Sequence, residues 1–438
     1  MMSHKNIRSK ANIRVSLRVA IFLLGWTAGS IAASAQQPPQ VSRIDLDQAI
    51  KLALAHNHAL KAAQSLIPQS QAQEITAAIR PNPVFIYDDL FIPLAANPAG
   101  QSYSSALNTI TEFDLGFSYT FERGNKRQAR IQAAHDQTAQ TRSQVDDTER
   151  GVTSDVGQQF IGILLAKANL QLAKADLASF QQTVDLSQER FRAGAIGEGD
   201  LLKIKLQLLQ FQMDVSSAQL AVVQGLASLR QLLGYEAVPM DYDVTGELAY
   251  TPLGLNQEDL QLRALKLRPD LLAAQQGITA AQSQYQLAKA NGKRNLNTTL
   301  EYTHVSAINS ASFALNIEIP MFDRNQGEIA RTHYAINQAQ ENSSAASDTV
   351  MTDVANAYQA MKTSAQVVDL YTSGYLKQAE DSRDISEYAY KRGAASLLDF
   401  LDAERSYRAT QLAYRQALAN YMLSLEQLRQ AVGTRNLP

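Results

Sequence analysis

Asp399 and Asp402 lie three residues apart, just after a turn that begins at Gly393, so a helix starting there presents two carboxylates on one face. Acids in a first helical turn complement the helix dipole, an effect of under about 1 kcal/mol each, and the pair by itself demands nothing more. The histidines carry less. His56 and His58 are two apart, which points them to different sides of a helix, and His135, His304 and His333 have no ligand cluster nearby in sequence, so neither a metal site nor a cofactor is expected. The run Gly194-Ala-Ile-Gly197-Glu-Gly199 superficially has the glycines of a phosphate loop, but it follows a helical segment instead of a strand and lacks the Lys-Ser or Lys-Thr ending. The chain contains no cysteine, which removes thiol catalysis, thiolate metal sites and disulfides together. No nucleophile-base spacing stands out, and the chain does not read as an enzyme.

The elements that position these residues are mostly helical. Between Pro98 and Pro239 there are 140 residues without proline, and residues 321–437 add another 117. Stretches of this length rich in Ala, Gln, Leu, Arg and Asp favour long helices. Residues 125–190 predict one helix of roughly 65 residues, or about 100 Å at 1.5 Å per residue, ending at the Gly-rich turn 192–200. Beyond it Leu201, Ile204, Leu208, Phe211, Val215, Ala218, Val222, Gly225, Leu229 and Leu232 recur at alternating spacings of three and four. This is a coiled-coil seam on a shorter helix that can fold back along the first, with Gly234 marking its end.

The plan then repeats at an offset of 199: Tyr390, Gly393 and Asp399 stand where Phe191, Gly194 and Asp200 stand, and residues 428–433 match 229–234. The second seam, from Phe400 through Tyr407, Tyr414 and Tyr421 to Ala431, is mostly aromatic or small. Before each long helix the period changes to two. Residues 113–121 and 313–321 alternate apolar and polar positions, the pattern of a strand with one apolar face. Weaker strands are expected at 84–92 and 298–305, after helical segments 46–79 and 260–291, with links 93–111 and 306–312 closing two hairpins. Residues 235–257, with Pro239 and Pro252, form an irregular link. The expected fold class is mainly α with a small β part, in one elongated domain of two repeats at about 44–234 and 258–433.

Residues 1–35 read as a signal peptide: Lys5, Arg8, Lys10, Arg14 and Arg18 precede the apolar run 19–26, and Ala33-Ser34-Ala35 offers a cleavage site after Ala35. The apolar run is shorter than the roughly 20 residues of a spanning helix, so residues 36–438 are expected to be exported. The chain has 40 Lys and Arg against 42 Asp and Glu, and without the leader 35 against 42, which argues against a nucleic-acid partner. Four strands cannot close a membrane barrel, because the smallest single-chain barrels use about 8 and lipid tolerates no open edge. Either the strands form a small soluble sheet or several chains share one barrel. Three chains would supply twelve strands, with the Phe, Leu and Tyr faces of 113–121 and 313–321 toward lipid and Asp114, Ser118, Asn316 and Glu318 toward water.

At this point the residues resemble the TolC family of outer-membrane efflux factors over nearly all of the mature chain. The resemblance rests on the opening segment 44–60, on Arg80-Pro-Asn-Pro83 before the first strand, on the repeated strand pairs and on both Gly/Asp helical turns. Residues 121–131 and 319–329 are similar to the branch serving heavy-metal export pumps of the cobalt-zinc-cadmium type. The resemblance implies a homotrimer with a twelve-strand barrel in the cell outer membrane and a helical barrel in the periplasm. It would be a passive duct docked onto a periplasmic adaptor protein and an inner-membrane efflux pump. Many members carry a lipidated N-terminal Cys, which this chain lacks, so anchoring would rest on the barrel. Two alternatives stand beside the metal duct: the same fold exporting drugs or secreted polypeptides, and a non-channel coiled-coil structural protein.

Carried onto this sequence, the resemblance puts Asp399 and Asp402 at the periplasmic aperture, where three chains would bring six carboxylates together. Such a ring attracts cations and can titrate above isolated aspartates. Asp200 and Tyr390 match positions that link neighbouring helices in the closed state, while Ala395 stands where a basic partner is expected, so one closing link is missing. For adaptor docking the implied residues are Arg192, Gly194, Gly393, Ser396, Leu397 and Leu398 at the helical tips. The alternative is that the glycines serve the turns and the two leucines pack inside.

Overall fold

The computed structural model describes residues 42–91, 100, 102, 105, 111–305 and 308–437. The expected leader and most of the link 93–111 lie outside these residues. The chain opens with strand β1 (Arg43–Ile44) and helices α1 (Leu46–His56), α2 (His58–Gln64) and α3 (Leu66–Ala78), followed by strands β2 (Val84–Leu90) and β3 (Glu112–Phe121). Helix α4 (Lys126–Arg192) then runs out for 67 residues and α5 (Glu198–Leu233) returns along it. After β4 (Asp243–Val244) the plan recurs as α6 (Gln257–Leu267), α7 (Pro269–Asn291), β5 (Leu296–Val305), β6 (Ile308–Ile317), α8 (Gln326–Leu370), a wide helical turn (Tyr371–Tyr375), α9 (Leu376–Arg392) and the returning α10 (Leu397–Val432). Each long helix begins on an asparagine in the left-handed region, Asn125 at φ 58° and Asn325 at φ 59°, so the two halves repeat in backbone detail.

The helical expectations need three corrections. Segment 46–79 is three helices. Asp45 and Gln48 close a capping box on α1, and Asn57 ends it by capping α2 through Leu60 N while its Nδ2 donates to Leu232 O at 2.9 Å, pinning the break to the end of α5. Segment 260–291 starts earlier, at Gln257, and breaks where Pro269 opens α7 at a position that needs no N–H donor. The second long helix is interrupted at Gly374, whose φ of 137° no other residue type adopts at low cost.

The strands form one antiparallel sheet of order β2-β3-β5-β6. The last strand lies earlier than expected: it spans Ile308–Ile317, not 313–321, so residues 308–312 of the link expected at 306–312 belong to the strand, and 306–307 lie outside the described residues. Residues 308–312 pair with 301–305 through their backbones although small polar side chains hide the alternation, and the chain leaves the sheet before Pro320, which has no donor to offer a ladder. The link 235–257 is not wholly irregular, because β4 pairs in parallel with β1 and Lys167 Nζ holds Asp243 at 2.8 Å and the Val244 carbonyl at 2.7 Å.

Packing follows the seams. None of the ten seam positions of α5 is exposed, and Gly225 lets α5 approach Ile163 of α4 so closely that an added Cβ would meet it at 2.9 Å. One core joins α1 (Ile50, Ala53) to Phe160, Ile163, Leu229 and Leu233. Its counterpart in the second half joins Leu260 and Leu271 to Val350, Val354, Tyr421 and Leu428. A third cluster lies at the far end of the long helices: Phe180, Val184, Ile204, Phe211, Tyr390, Leu397 and Phe400.

Candidate functional site

The sheet separates its side chains by face. Register places Phe85, Phe117, Leu300 and Phe313 in one cross-strand row, and Tyr87, Leu115, Tyr302 and Ala311 in the next along the same face. Phe85 and Phe117 touch with ring centroids 5.3 Å apart. Phe117, Leu300 and Phe313 remain 61%, 60% and 68% exposed, so none of the described residues covers this part of the apolar face. The opposite face carries Asp88, Asp114, Thr303 and Ser310 in one row, and Thr120, Asn297 and Asn316 in another. β3, β5 and β6 have 10 residues each, the length that crosses a bilayer when tilted. Among the described residues, both edges, β2 and β6, have a free side. Asp114 and Ser118 lie on the polar face and so does Asn316, while Glu318 lies beyond the strand and pairs with Arg294 at 3.2 Å.

At the opposite end the turns are built from glycine. Gly194 and Gly393 take φ of 74° and 77° at the ends of α4 and α9. Asp399 closes a capping box: its Oδ2 accepts from Ser396 Oγ at 2.7 Å and Ser396 N at 3.2 Å, and Ser396 Oγ accepts from Asp399 N. Asp402, one turn further, is exposed. The sequence signature of that box, Ser396 followed three residues later by Asp399, was there to be read.

The structure gives Asp200 and Tyr390 different partners. Asp200 pairs with Lys203 at 3.4 Å in its own helix. Tyr390 is buried, its hydroxyl 3.2 Å from Ser187 Oγ of α4, its ring stacked on Phe400, and its carbonyl accepting from Arg190 Nη1 at 3.0 Å. Of the tip residues, Arg192 pairs with Glu189, Leu397 is packed into the Phe400 cluster and Leu398 stands 75% exposed. His58 lies 3.4 Å from Glu236 at the surface.

Sequence reasoning missed a charged knot between the tip and the middle of the helices. Arg408 of α10 bridges Asp176 of α4, at 3.1 Å, and Asp214 of α5, with its guanidinium over the Phe211 ring. One turn away Glu404 is 8% exposed, and among the described residues no hydrogen bond reaches its carboxylate. Burial, then the negative charge of Asp176, pushes its carboxyl from the ordinary 4.5 up to about 7, against the opposing pull of Arg383 and Arg408. A carboxyl with a raised folded-state pKa contributes fully below its unfolded value, so packing around Glu404 is strongest below about pH 4.5 and is lost as pH rises through about 7. Glu404→Gln is therefore expected to add about 3 kcal/mol per chain at pH 8 and little at pH 4.5, read as melting temperature against pH. A pH-independent difference would sink this account.

A protein-family model described as outer membrane efflux protein matches residues 49–235 and 261–434. The chain belongs to this family. Among curated relatives it is 24% identical over 395 residues to the probable outer membrane lipoprotein SilC of Salmonella typhimurium, covering 85% of this chain and 81% of that one. It is also 24% identical over 379 residues to the cobalt-zinc-cadmium resistance protein CzcC of Cupriavidus metallidurans, covering 85% of both. Among solved structures, CusC superimposes with a TM-score of 0.73 at 22% identity, over 92% of this chain and 96% of CusC. The protein is an outer membrane efflux channel of TolC-like fold, similar to the heavy-metal resistance branch, and not an enzyme. Its place is the cell outer membrane.

Proposed function

We propose that the protein is the trimeric, passive exit duct of a tripartite efflux system, receiving cargo from an inner-membrane pump through a periplasmic adaptor. The observation that carries this reading is the sheet: four strands with a bare apolar face and two unpaired edges cannot sit in lipid alone. Three copies joining β2 to β6 leave no edge and make a twelve-strand barrel. A second unpartnered surface supports the same assembly. Leu202, Leu206, Leu209, Met213, Leu220 and Val223 are more than half exposed along one side of α5, opposite the seam that packs on α4. Residues 1–35 would be the leader removed on export, and residues 36–438 a single elongated body of two repeats.

At the tip, Asp399 and Asp402 would form the carboxylate ring of the periplasmic aperture, with Asp399 also capping α10. Asp200 and Tyr390 would hold neighbouring helices at the closed gate, and Arg192, Gly194, Gly393, Ser396, Leu397 and Leu398 would meet the adaptor, with Leu398 offering the exposed apolar contact. Asp399→Ala with Asp402→Ala is expected to raise single-channel conductance severalfold and weaken cation selectivity in a planar bilayer. Unchanged values would remove these residues from the constriction.

The proposed cargo is heavy-metal cations, on the similarity to CzcC, a cobalt-zinc-cadmium resistance protein, and to the cation efflux system protein CusC of Escherichia coli. Loss of the gene is expected to lower tolerance to cobalt, zinc or cadmium salts in graded plates. Unchanged metal tolerance with lost drug tolerance would instead favour a duct for organic compounds.

A further inference from the structure

We propose that the helix-side base of the strand sheet binds the anionic phospholipid headgroups of the periplasm-facing leaflet of the outer membrane. This rests on the duct reading, which sets the orientation of the sheet. The strands β2, β3, β5 and β6 contain five acids (Asp88, Asp89, Glu112, Asp114, Glu301) and no Lys or Arg. The four short segments joining the sheet to the helices reverse this balance. Residues 79–83, 122–125, 292–295 and 318–325 hold five cations against three acids, and the start of α4 adds Lys126, Arg127 and Arg130.

All three acids are already engaged: Glu122 with Arg130, and Glu318 and Asp323 with Arg294. Arg80, Arg123, Lys293 and Arg324 are exposed and have no ion-pair partner among the described residues. Arg123, Lys293 and Arg324 are gathered by backbone proximity, since Lys293 packs over Gly124 and Gly292 lies against the Arg324 carbonyl, and Arg130 at the start of α4 donates to the Ile79 carbonyl beside Arg80 at 3.2 Å. Lys126, held by Asn295 at 2.8 Å, lies in the same cluster. Burial, opposed by Glu122 and then reinforced by the charges of Arg294 and Arg130, brings its ammonium below the usual lysine range.

Apolar side chains stand among the cations. Ile319, Met321 and Phe322 are 78%, 67% and 89% exposed just past the end of β6, where the apolar band of the sheet stops. Exposed apolar side chains interleaved with unpaired cations at the end of the apolar band match a bilayer boundary, where hydrocarbon gives way to phosphate. Each Lys or Arg near an anionic surface strengthens association by about fivefold. The sheet's other end, acidic and without cations, offers no such match.

The test is to purify the full-length trimer in detergent, add equal dioleoyl phosphatidylglycerol and dioleoyl phosphatidylethanolamine, and count lipids retained per trimer by native mass spectrometry. Phosphatidylglycerol should be retained with about tenfold preference or more. A variant with Arg80→Gln, Arg123→Gln, Lys293→Gln and Arg324→Gln should lose that preference. One with Arg80→Lys, Arg123→Lys and Arg324→Lys should keep it, and both should conduct like the unsubstituted pore. A conducting trimer without the preference, or a glutamine variant that keeps it, overturns the inference and leaves the duct standing. An unsubstituted protein that forms no pore overturns the duct reading and this inference with it.

Discussion

Leu300→Arg is expected to remove the protein from the outer membrane, while Thr299→Arg, one residue away, is expected to leave it there. Leu300 sits mid-strand between Phe117 and Phe313 on the bare apolar face, and Thr299 pairs with Ser118 and Ala314 on the other. A cation on the lipid face at mid-membrane costs about 2–4 kcal/mol, and in a shared barrel each copy adds its own cost. At Thr299 the new charge would meet water. Quantifying trimer in outer-membrane fractions decides it. Equal loss for both substitutions would mean that the face assignment is wrong.

The second large effect is expected from Arg408→Met, which keeps length and packing but removes the charge between Asp176 and Asp214. Burial already raises the Asp176 carboxyl even with Arg408 beside it. Without the guanidinium, Asp176 and Glu404 would face each other with no cation bridging α4, α5 and α10. Removing one partner of a buried pair costs about 3–5 kcal/mol. The loss should shrink at pH 5, below the value of about 7 to which the Glu404 carboxyl is pushed, because a protonated Glu404 no longer repels Asp176, and adding Asp176→Asn should recover much of it. Chemical denaturation of the detergent-solubilised protein measures this. A loss that is the same at pH 5 and pH 8 would assign the effect to packing on Phe211 instead.

Much of this architecture was legible because burial imposes a period. The seam from Leu201 to Leu232 must face α4 along its whole length, and the alternation from Phe113 to Phe121 must present one face to an apolar medium; both patterns survive in the residue types. Elements whose stability comes from elsewhere left little trace. The first half of β6, Ile308 to Ser312, is held by backbone pairing with β5, so its small polar side chains carry no alternation. The wide turn at Gly374 lies in a run with one glycine, whereas the unbroken α4 carries three, Gly151, Gly157 and Gly162, and nothing local distinguishes them. The knot of Asp176, Asp214, Glu404 and Arg408 joins three helices far apart in sequence, and each member alone reads as a surface charge. The residues assigned to aperture, gate and docking came from family resemblance, because their roles depend on neighbouring chains that one chain's periodicity does not encode.

The central claim is that four strands per chain are one third of a membrane barrel. Its most direct test is the mass and single-channel conductance of the protein extracted from membranes with detergent. The account predicts a particle of three chains that inserts conducting pores into a planar bilayer. A monomer or dimer that stays soluble without detergent and forms no pores would contradict it, and the sheet would then be an ordinary soluble one.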